Sequence, residues 1–291
     1  METKLSQLME KGFCVFDQAL KKEVLGKIKG VSHQALGDLS SEHRNKNKSQ
    51  GSLILIADYP DFGLLIGNEE LIEIFRILGV GDTRFSTGYI ISKPKNSPAL
   101  FWQQDWGGWD HPLSFTDQIA QVFVMIYLQD TNIQNGCLRV IPGSHRSFHS
   151  LHLNQSAHTE TVSRVEDPDD QIYKSVPEEV AVPVKYGDVI VGDARLIHSS
   201  FPNKSEDERT LITLWLHPNY DMLPGAMQSR SCEIFSRKGV DTDPDGEEAM
   251  MPSNWPANIR QSIEALFPSC PEEVEPYPWC RIPSWPNKDK K

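Results

Sequence analysis

The chain has 291 residues, a formal net charge of −11 and a pI near 5.3. That length can bury a large core in one domain, and the acidic balance, with no compact basic stripe, excludes non-specific binding to nucleic acid or an anionic membrane. No apolar run approaches the roughly 20 residues that span a bilayer. The stretch from Met1 to Phe13 lacks the basic and apolar regions of a secretory signal. Five cysteines, Cys14, Cys137, Cys232, Cys270 and Cys280, have no C-x-x-C spacing, which fits reduced thiols. The expectation is a cytoplasmic protein.

Leu5, Leu8 and Met9 are spaced as on a short helix ending at Gly12, and GFCVFDQAL then alternates as a strand. KKEVLGKIKGVSHQAL carries Val24, Leu25, Ile28, Val31 and Leu36 near one face of a second helix. Ser40 to Ser52 is polar and aperiodic, as a surface loop would be. Asn68 is placed to cap a third helix, NEELIEIFRIL, with two glutamates in its first turn.

From Gly81 the character changes. TRFSTGYIISKP, FTDQIAQVFVMIYLQD, NGCLRVIPGSH, EVAVPVKYGDVIVGD and RTLITLWLHP are β-branched and aromatic runs separated by Gly, Asn, Asp and Pro, the pattern of antiparallel strands. Without helical crossovers they predict a sandwich, jelly roll or barrel, and Asn135-Gly136 reads as a hairpin turn. The polar, acidic segment from Asn154 to Pro177 interrupts the strands and either disorders or covers a site. After Asn219 come an acidic loop, GVDTDPDGEEAM, a last helix in NWPANIRQSIEALF, and a proline-rich end in which Trp279 and Trp285 look like packing anchors. The organisation predicted is a single domain over 1–291: a helical region over about 1–80, a β core over about 81–218 and an irregular extension over about 219–291.

Two stretches carry the chemistry. In FWQQDWGGWD, Gln103 and Asp105 are two apart and so share one face of a strand, where they can reach one small object together. We expect a metal ion, with His198 in GDVIVGDARLIHSSFPNKSEDERT as the third ligand. Ser200 and Arg209 follow His198 at offsets of two and eleven. Singly, Asp105 could be a turn residue, His198 a satisfied core histidine and Arg209 a strand-edge charge; jointly, the spacing favours a site. His145, His149 and His152 have no carboxylate or cysteine at ligand spacing and read as structural or solvated. Asp188 and Asp193 read as turn residues.

Together with GFCVFDQAL and VFVMIYLQDTNIQNGCLRVIPGSH, these two stretches make the chain resemble the phytanoyl-CoA dioxygenase family over most of its length. The resemblance implies a mainly β fold with flanking helices, a double-stranded β-helix of the cupin-like jelly-roll kind. It implies an iron(II) and 2-oxoglutarate dependent dioxygenase that uses O2 to hydroxylate a small organic molecule, with ascorbate as an accessory reductant. Asp105 and His198 match the family's metal ligands, Arg209 the arginine that pairs with the far carboxylate of 2-oxoglutarate, and Ser200 the hydroxyl supporting it. Lys93 could hold the other end of the cosubstrate, and Trp102, Trp106 and Trp109 would line or rim the substrate cavity.

Gln103 departs from the family pattern, standing where its first histidine belongs. An amide oxygen is a poorer iron(II) ligand than an imidazole nitrogen. Gln103 therefore leaves open a working variant, a non-catalytic member that keeps the cosubstrate pocket, and a substitution made to trap a complex. His111, beyond a Gly-Gly turn, is a remote replacement ligand. A cupin-like isomerase or sugar-binding module is the third functional class, disfavoured by Arg209 and Ser200. The substrate and the oligomeric state are not legible.

Overall fold

Strand Val122 to Tyr127 is buried at every position, and its side chains divide between two cores. Val122, Val124 and Ile126 face a layer of helices, whereas Phe123, Met125 and Tyr127 face the interior of a barrel. Alternation of side chains across a strand produces this division, and burial of both faces explains why the run reads as continuously apolar. Each such side chain withdrawn from water contributes about 1.5–3 kcal/mol.

A computed structural model describes residues 2–236, 255–283 and 285. In chain order the elements are α1 (Lys4–Lys11), β1 (Phe13–Phe16), α2 (Lys22–Gly37), α3 (Ser41–Lys46), β2 (Ile54–Leu55), α4 (Gly63–Ile66), α5 (Glu69–Ile77), β3 (Arg84–Lys93) and β4 (Val122–Tyr127). There follow β5 (Leu138–Val140), α6 (Glu160–Arg164), β6 (Val180–Val182), β7 (Val189–Asp193), β8 (His198–Ser200), β9 (Arg209–His217), α7 (Gly225–Ser236) and α8 (Ala257–Ile263). One sheet has the order β1-β7-β4-β9-β3-β2 and the other β6-β5-β8, with antiparallel pairing throughout. The sheets enclose the barrel interior of a double-stranded β-helix, and α2 and α5 cover the outer face of the larger one through Leu25, Ile28, Leu71 and Ile74.

Several expected elements form where the sequence placed them. Gly12 ends α1 at a φ of 86°, a left-handed conformation open to glycine. The Asn68 side chain accepts the Leu71 amide at 3.1 Å to start α5.

Other expectations need correction. Ser40 to Ser52 is not a plain loop: the Ser40 hydroxyl accepts the His43 amide and caps α3. Arg44 then donates to the carbonyls of Gly51 and Ser92, tying the segment to β3. Asn135-Gly136 is not a hairpin turn, because β4 and β5 belong to different sheets. Gly136 has a φ of 83°, but the turn is closed by the Asn132 side chain, which accepts the amides of Gln134 and Asn135. Cys232 and Cys270 form a disulfide with Cα atoms 5.6 Å apart, overturning the expectation that all five thiols are free; sequence spacing does not reveal cysteines that tertiary packing brings together. Burial pushes the thiol pKa of Cys14 up to about 12 and that of Cys137 to about 11. The stretch from Gly239 to Met250 and the terminal KDKK lie outside the described residues. Among those described, no helix is long and apolar enough to cross a membrane.

Asp193 is more than a turn residue. Its carboxylate accepts Nε of Arg195 at 2.9 Å and Nη2 at 2.7 Å, with both side chains buried. The Arg195 charge holds the Asp193 carboxyl below its ordinary pKa against the opposing effect of burial. Removing one partner strands the other charge, so Asp193→Ala is expected to cost about 3–5 kcal/mol in urea unfolding, with Asp193→Ala/Arg195→Met recovering most of it. Equal destabilisation in both variants would show that the pair does not act as a unit.

Candidate active site

Backbone pairing assembles the site. Gln103 and His198 form an isolated antiparallel bridge, the Gln103 amide donating to the His198 carbonyl at 3.0 Å and the His198 amide donating back at 2.9 Å. Two residues on, the Ala194 carbonyl accepts the amides of Asp105 and Trp106 at 2.8 and 2.9 Å. Ala194 lies between the paired Asp193 and Arg195, so this buried ion pair holds the turn that receives the motif.

The side chains of Gln103, Asp105 and His198 converge. Gln103 Nε2 is 3.1 Å from Asp105 Oδ1 and 3.3 Å from His198 Nε2, and His198 Nε2 is 3.7 Å from Asp105 Oδ2. His198 Nδ1 lies 3.0 Å from the Leu196 carbonyl. A carbonyl only accepts, so Nδ1 carries the hydrogen and Nε2 keeps a lone pair directed at the other two side chains. Trp215 Nε1 donates to Asp105 Oδ2 at 2.8 Å and orients the carboxylate. Phe123 lies against the His198 ring, 4.9 Å between centroids; Gly192 permits this, since a Cβ there would stand 2.1 Å from the Phe123 ring.

A carboxylate and an imidazole lone pair suit iron(II), so these residues fit the metal that the fold implies. The Gln103 amide nitrogen bridges them, and turning the amide over would present Oε1, an acceptor, to the same point. Among the described residues no three His, Cys, Asp or Glu side chains form a metal-holding group; the third polar side chain at this point is Gln103. His111 lies elsewhere, its Nδ1 accepting the Leu113 amide and its ring against Tyr277.

Deeper in the barrel lie two cations. Lys93 and Arg209 are register partners on β3 and β9, with exposures of 0% and 2%. Lys93 Nζ donates to the Pro98 carbonyl, and Arg209 Nε and Nη1 are buried without a partner, as is Ser200 Oγ. Burial, and then the charge of Arg209, push the Lys93 pKa well below the ordinary lysine value; burial also lowers that of Arg209. The ring of Tyr127 lies 5.5 Å from the guanidinium carbon. Buried charges without counter-ions are costly, and this pair fits a carboxylate, which a guanidinium fork binds through two hydrogen bonds. Lys93, Ser200, Arg209, Gln103, Asp105 and His198 share one cavity of about 510 Å³, within the range of small-molecule sites.

The motif tryptophans do not line this cavity as expected. Trp102 donates to the Lys174 carbonyl and stacks on Arg139 at 4.5 Å. Trp106 donates to Ser114, and Trp109 lies among Phe115, His152 and Trp285. The adjoining Gly107 admits another tryptophan to the site: a Cβ there would fall 1.3 Å from the Trp279 ring. Cys280 pairs with the same loop, donating to the Gly107 carbonyl and accepting from the Trp109 amide at 2.6 and 3.0 Å. The C-terminal segment thus forms a strap that brings Trp279 and Arg281 to the cavity.

Of the polar insertion, His158 reaches the cavity wall, donating to the Gln104 carbonyl at 3.0 Å. Sequence reasoning missed His158, Trp279 and Arg281, which no local pattern marks. It also missed Thr213 and Trp215, although steps of two along β9 from Arg209 reach both.

The family model described as phytanoyl-CoA dioxygenase matches residues 65–211. A probable alpha-ketoglutarate-dependent hypophosphite dioxygenase of Stutzerimonas stutzeri is 22% identical over 223 residues, 72% of this chain and 75% of that protein. A phytanoyl-CoA dioxygenase domain-containing protein 1 homolog of Dictyostelium discoideum is 34% identical over 106 residues, 36% of this chain and 37% of the relative. Among solved structures, HygX from Streptomyces hygroscopicus with nickel and 2-oxoglutarate bound has a TM-score of 0.55 at 19% identity, covering 75% of this chain and 86% of its own. The alpha ketoglutarate dependent epimerase SnoN from nogalamycin biosynthesis has a TM-score of 0.57 at 14% identity, covering 87% and 95%. At such identities the structures establish a shared fold.

Replacing Lys93 with Met removes a buried charge from the ligand-free protein and one cation from the pocket. Lys93→Met is expected to raise Tm without ligand and to weaken 2-oxoglutarate by about tenfold or more, 1.4 kcal/mol per decade. Because the folded pKa of Lys93 is lowered, the ligand-free protein gains stability as pH rises through that value toward the ordinary lysine pKa. Affinity for 2-oxoglutarate should fall over the same rise as Lys93 loses its proton. Unchanged affinity in Lys93→Met, measured by calorimetry, would remove Lys93 from the cosubstrate site.

Proposed function

The chain belongs to the phytanoyl-CoA dioxygenase family of iron(II) and 2-oxoglutarate dependent oxygenases, and from that premise we propose that it hydroxylates a compact small molecule at an iron site formed by Asp105, His198 and Gln103. The observation that carries the reading is the convergence of these three side chains in one cavity with the buried, uncompensated cations Lys93 and Arg209.

In this reading Arg209, supported by Ser200 and Lys93, anchors the far carboxylate of 2-oxoglutarate and orients the cosubstrate toward Asp105 and His198. Trp215 holds the Asp105 carboxylate in place, and the Leu196 carbonyl keeps the hydrogen on His198 Nδ1 so that Nε2 stays free. Iron(II), when bound, supplies activation of O2 coupled to oxidative decarboxylation of 2-oxoglutarate to succinate and carbon dioxide; ascorbate would serve as an accessory reductant. Trp279 and the insertion bearing His158 restrict water at the reacting end. A hydroxylase fits Asp105 better than a halogenase, in which halide takes the place of the carboxylate. A cytoplasmic setting completes the proposal, and the Cys232–Cys270 bond is the feature that calls for a direct test of it.

Gln103 favours a second reading, a binding protein that captures 2-oxoglutarate and holds iron weakly. Anaerobic titration with iron(II) and 2-oxoglutarate, following the visible charge-transfer band, separates the two. The expected result is a band in the Gln103 chain and, in Gln103→His, iron bound about a hundredfold more tightly, on the order of 3 kcal/mol for one improved ligand. Succinate release on admitting oxygen to the Gln103 chain supports the oxygenase. A band confined to Gln103→His supports the binding protein, and no band in either chain overturns the metal site.

A further inference from the structure

The end of the cavity away from Arg209 carries polar groups with no hydrogen-bond partner among the described residues. Ser86 Oγ, Gln121 Oε1 and Thr213 Oγ1 are buried without hydrogen-bond partners, and the three residues are 1%, 5% and 0% exposed. All three line the cavity that holds Asp105 and His198. A buried hydroxyl or amide left unpaired costs about 1–3 kcal/mol, so such groups on residues lining a cavity mark where a ligand or its water completes them.

The strand register orders these groups along the cavity. On β9, Arg209, Thr213 and Trp215 follow one face, and Thr213 pairs with Met125 on one side and Tyr89 on the other. Trp215 pairs with Phe123 and Thr87, and its indole nitrogen reaches Asp105. Gln121 directly precedes β4, whose first residue Val122 pairs with Leu216, and Ser86 sits at the irregularity in β3 between Phe85 and Thr87. Gln121 and Ser86 therefore flank Trp215 at the end of the cavity away from Arg209, roughly two strand spacings or about 10 Å apart. Thr213 lies between this end and the cosubstrate anchor.

The surfaces between these polar points are aromatic. Trp215 meets Tyr89 edge to face at 6.0 Å, and Trp279 closes the cavity from the strap. Flat apolar faces bordered by hydrogen-bonding groups suit a saturated ring with C–H faces and a hydroxylated rim. They suit an alkyl chain poorly, since it would leave Ser86, Gln121 and Thr213 unpaired. Resting on the oxygenase reading of the same site, we propose that the substrate is a compact polyhydroxylated ring of the sugar or cyclitol class, with its hydroxyls bound by Ser86, Gln121 and Thr213. Gln121 Oε1 accepts from a substrate hydroxyl, and the Ser86 and Thr213 hydroxyls donate to or accept from its neighbours.

The test is a binding measurement without turnover. The full chain, loaded with 2-oxoglutarate and nickel(II), is titrated calorimetrically with myo-inositol and with methyl glucopyranoside, each compared with cyclohexanol. At least one polyol is expected to bind about tenfold or more tightly than cyclohexanol, because sites built to bond a hydroxyl reject analogues that lack it. Gln121→Leu and Ser86→Ala should each reduce that preference, and the double variant should abolish it; 2-oxoglutarate affinity in the same variants reports that they fold. Equal or tighter binding of cyclohexanol, no binding of either polyol, or a preference that survives the double variant each overturns the proposal. These results are separate from the iron charge-transfer band, so the substrate class can fail while the oxygenase reading stands.

Discussion

The site depends on one short backbone pairing, the two hydrogen bonds between Gln103 and His198. Residues from a loop after β3 and from β8, 95 positions apart, are held opposite one another by this bridge. Strand geometry then sends both side chains to the same side and adds Asp105 two residues on. The surroundings reinforce it: Ala194 receives the next turn of the motif, and the buried Asp193–Arg195 pair holds Ala194. The positions of these three side chains follow from main-chain hydrogen bonds that require no metal, so the arrangement does not depend on which side chain stands at position 103.

A second constraint is electrostatic. The barrel encloses Lys93 and Arg209 side by side, and among the described residues neither has a carboxylate in an ion pair with it. A protein would be more stable with apolar residues at these positions, and retaining two buried cations makes sense where an anion supplies the missing charge. On the proposed reading the chain gives up stability when empty in exchange for affinity when filled. Burial and the neighbouring Arg209 charge lower the pKa of Lys93 in the empty protein.

Much of this was legible in the chain, and the limits are physical. The β core could be read because apolar alternation and turn residues are local signals, and the offsets of Ser200 and Arg209 from His198 survive folding because they lie on consecutive strands. The motif tryptophans were misplaced because an aromatic beside a ligand can face away from it: Trp102 turned toward Arg139, and Trp109 toward Trp285. The Asn135-Gly136 turn was misread because both flanking runs are strands, and nothing local says that they belong to different sheets. His158, Trp279 and the Cys232–Cys270 pair depend on contacts across long separations, for which a single sequence carries no local mark. Gly107 was a partial clue, since a glycine beside a ligand motif often marks a close approach.

The strap through Trp279 and Cys280 divides the molecule into parts with different histories open to them. Its hold on the barrel combines main-chain bonds to Gly107 and Trp109 with the packing of Trp279 on Gly107 and of Trp285 against Trp109. The main-chain part does not depend on side-chain identity, so substitutions in the tail that keep these two tryptophans can vary the rest of the cavity mouth while the barrel stays the same. The barrel interior and that part of the rim can diverge independently, as a tool keeps its handle while its tip is replaced.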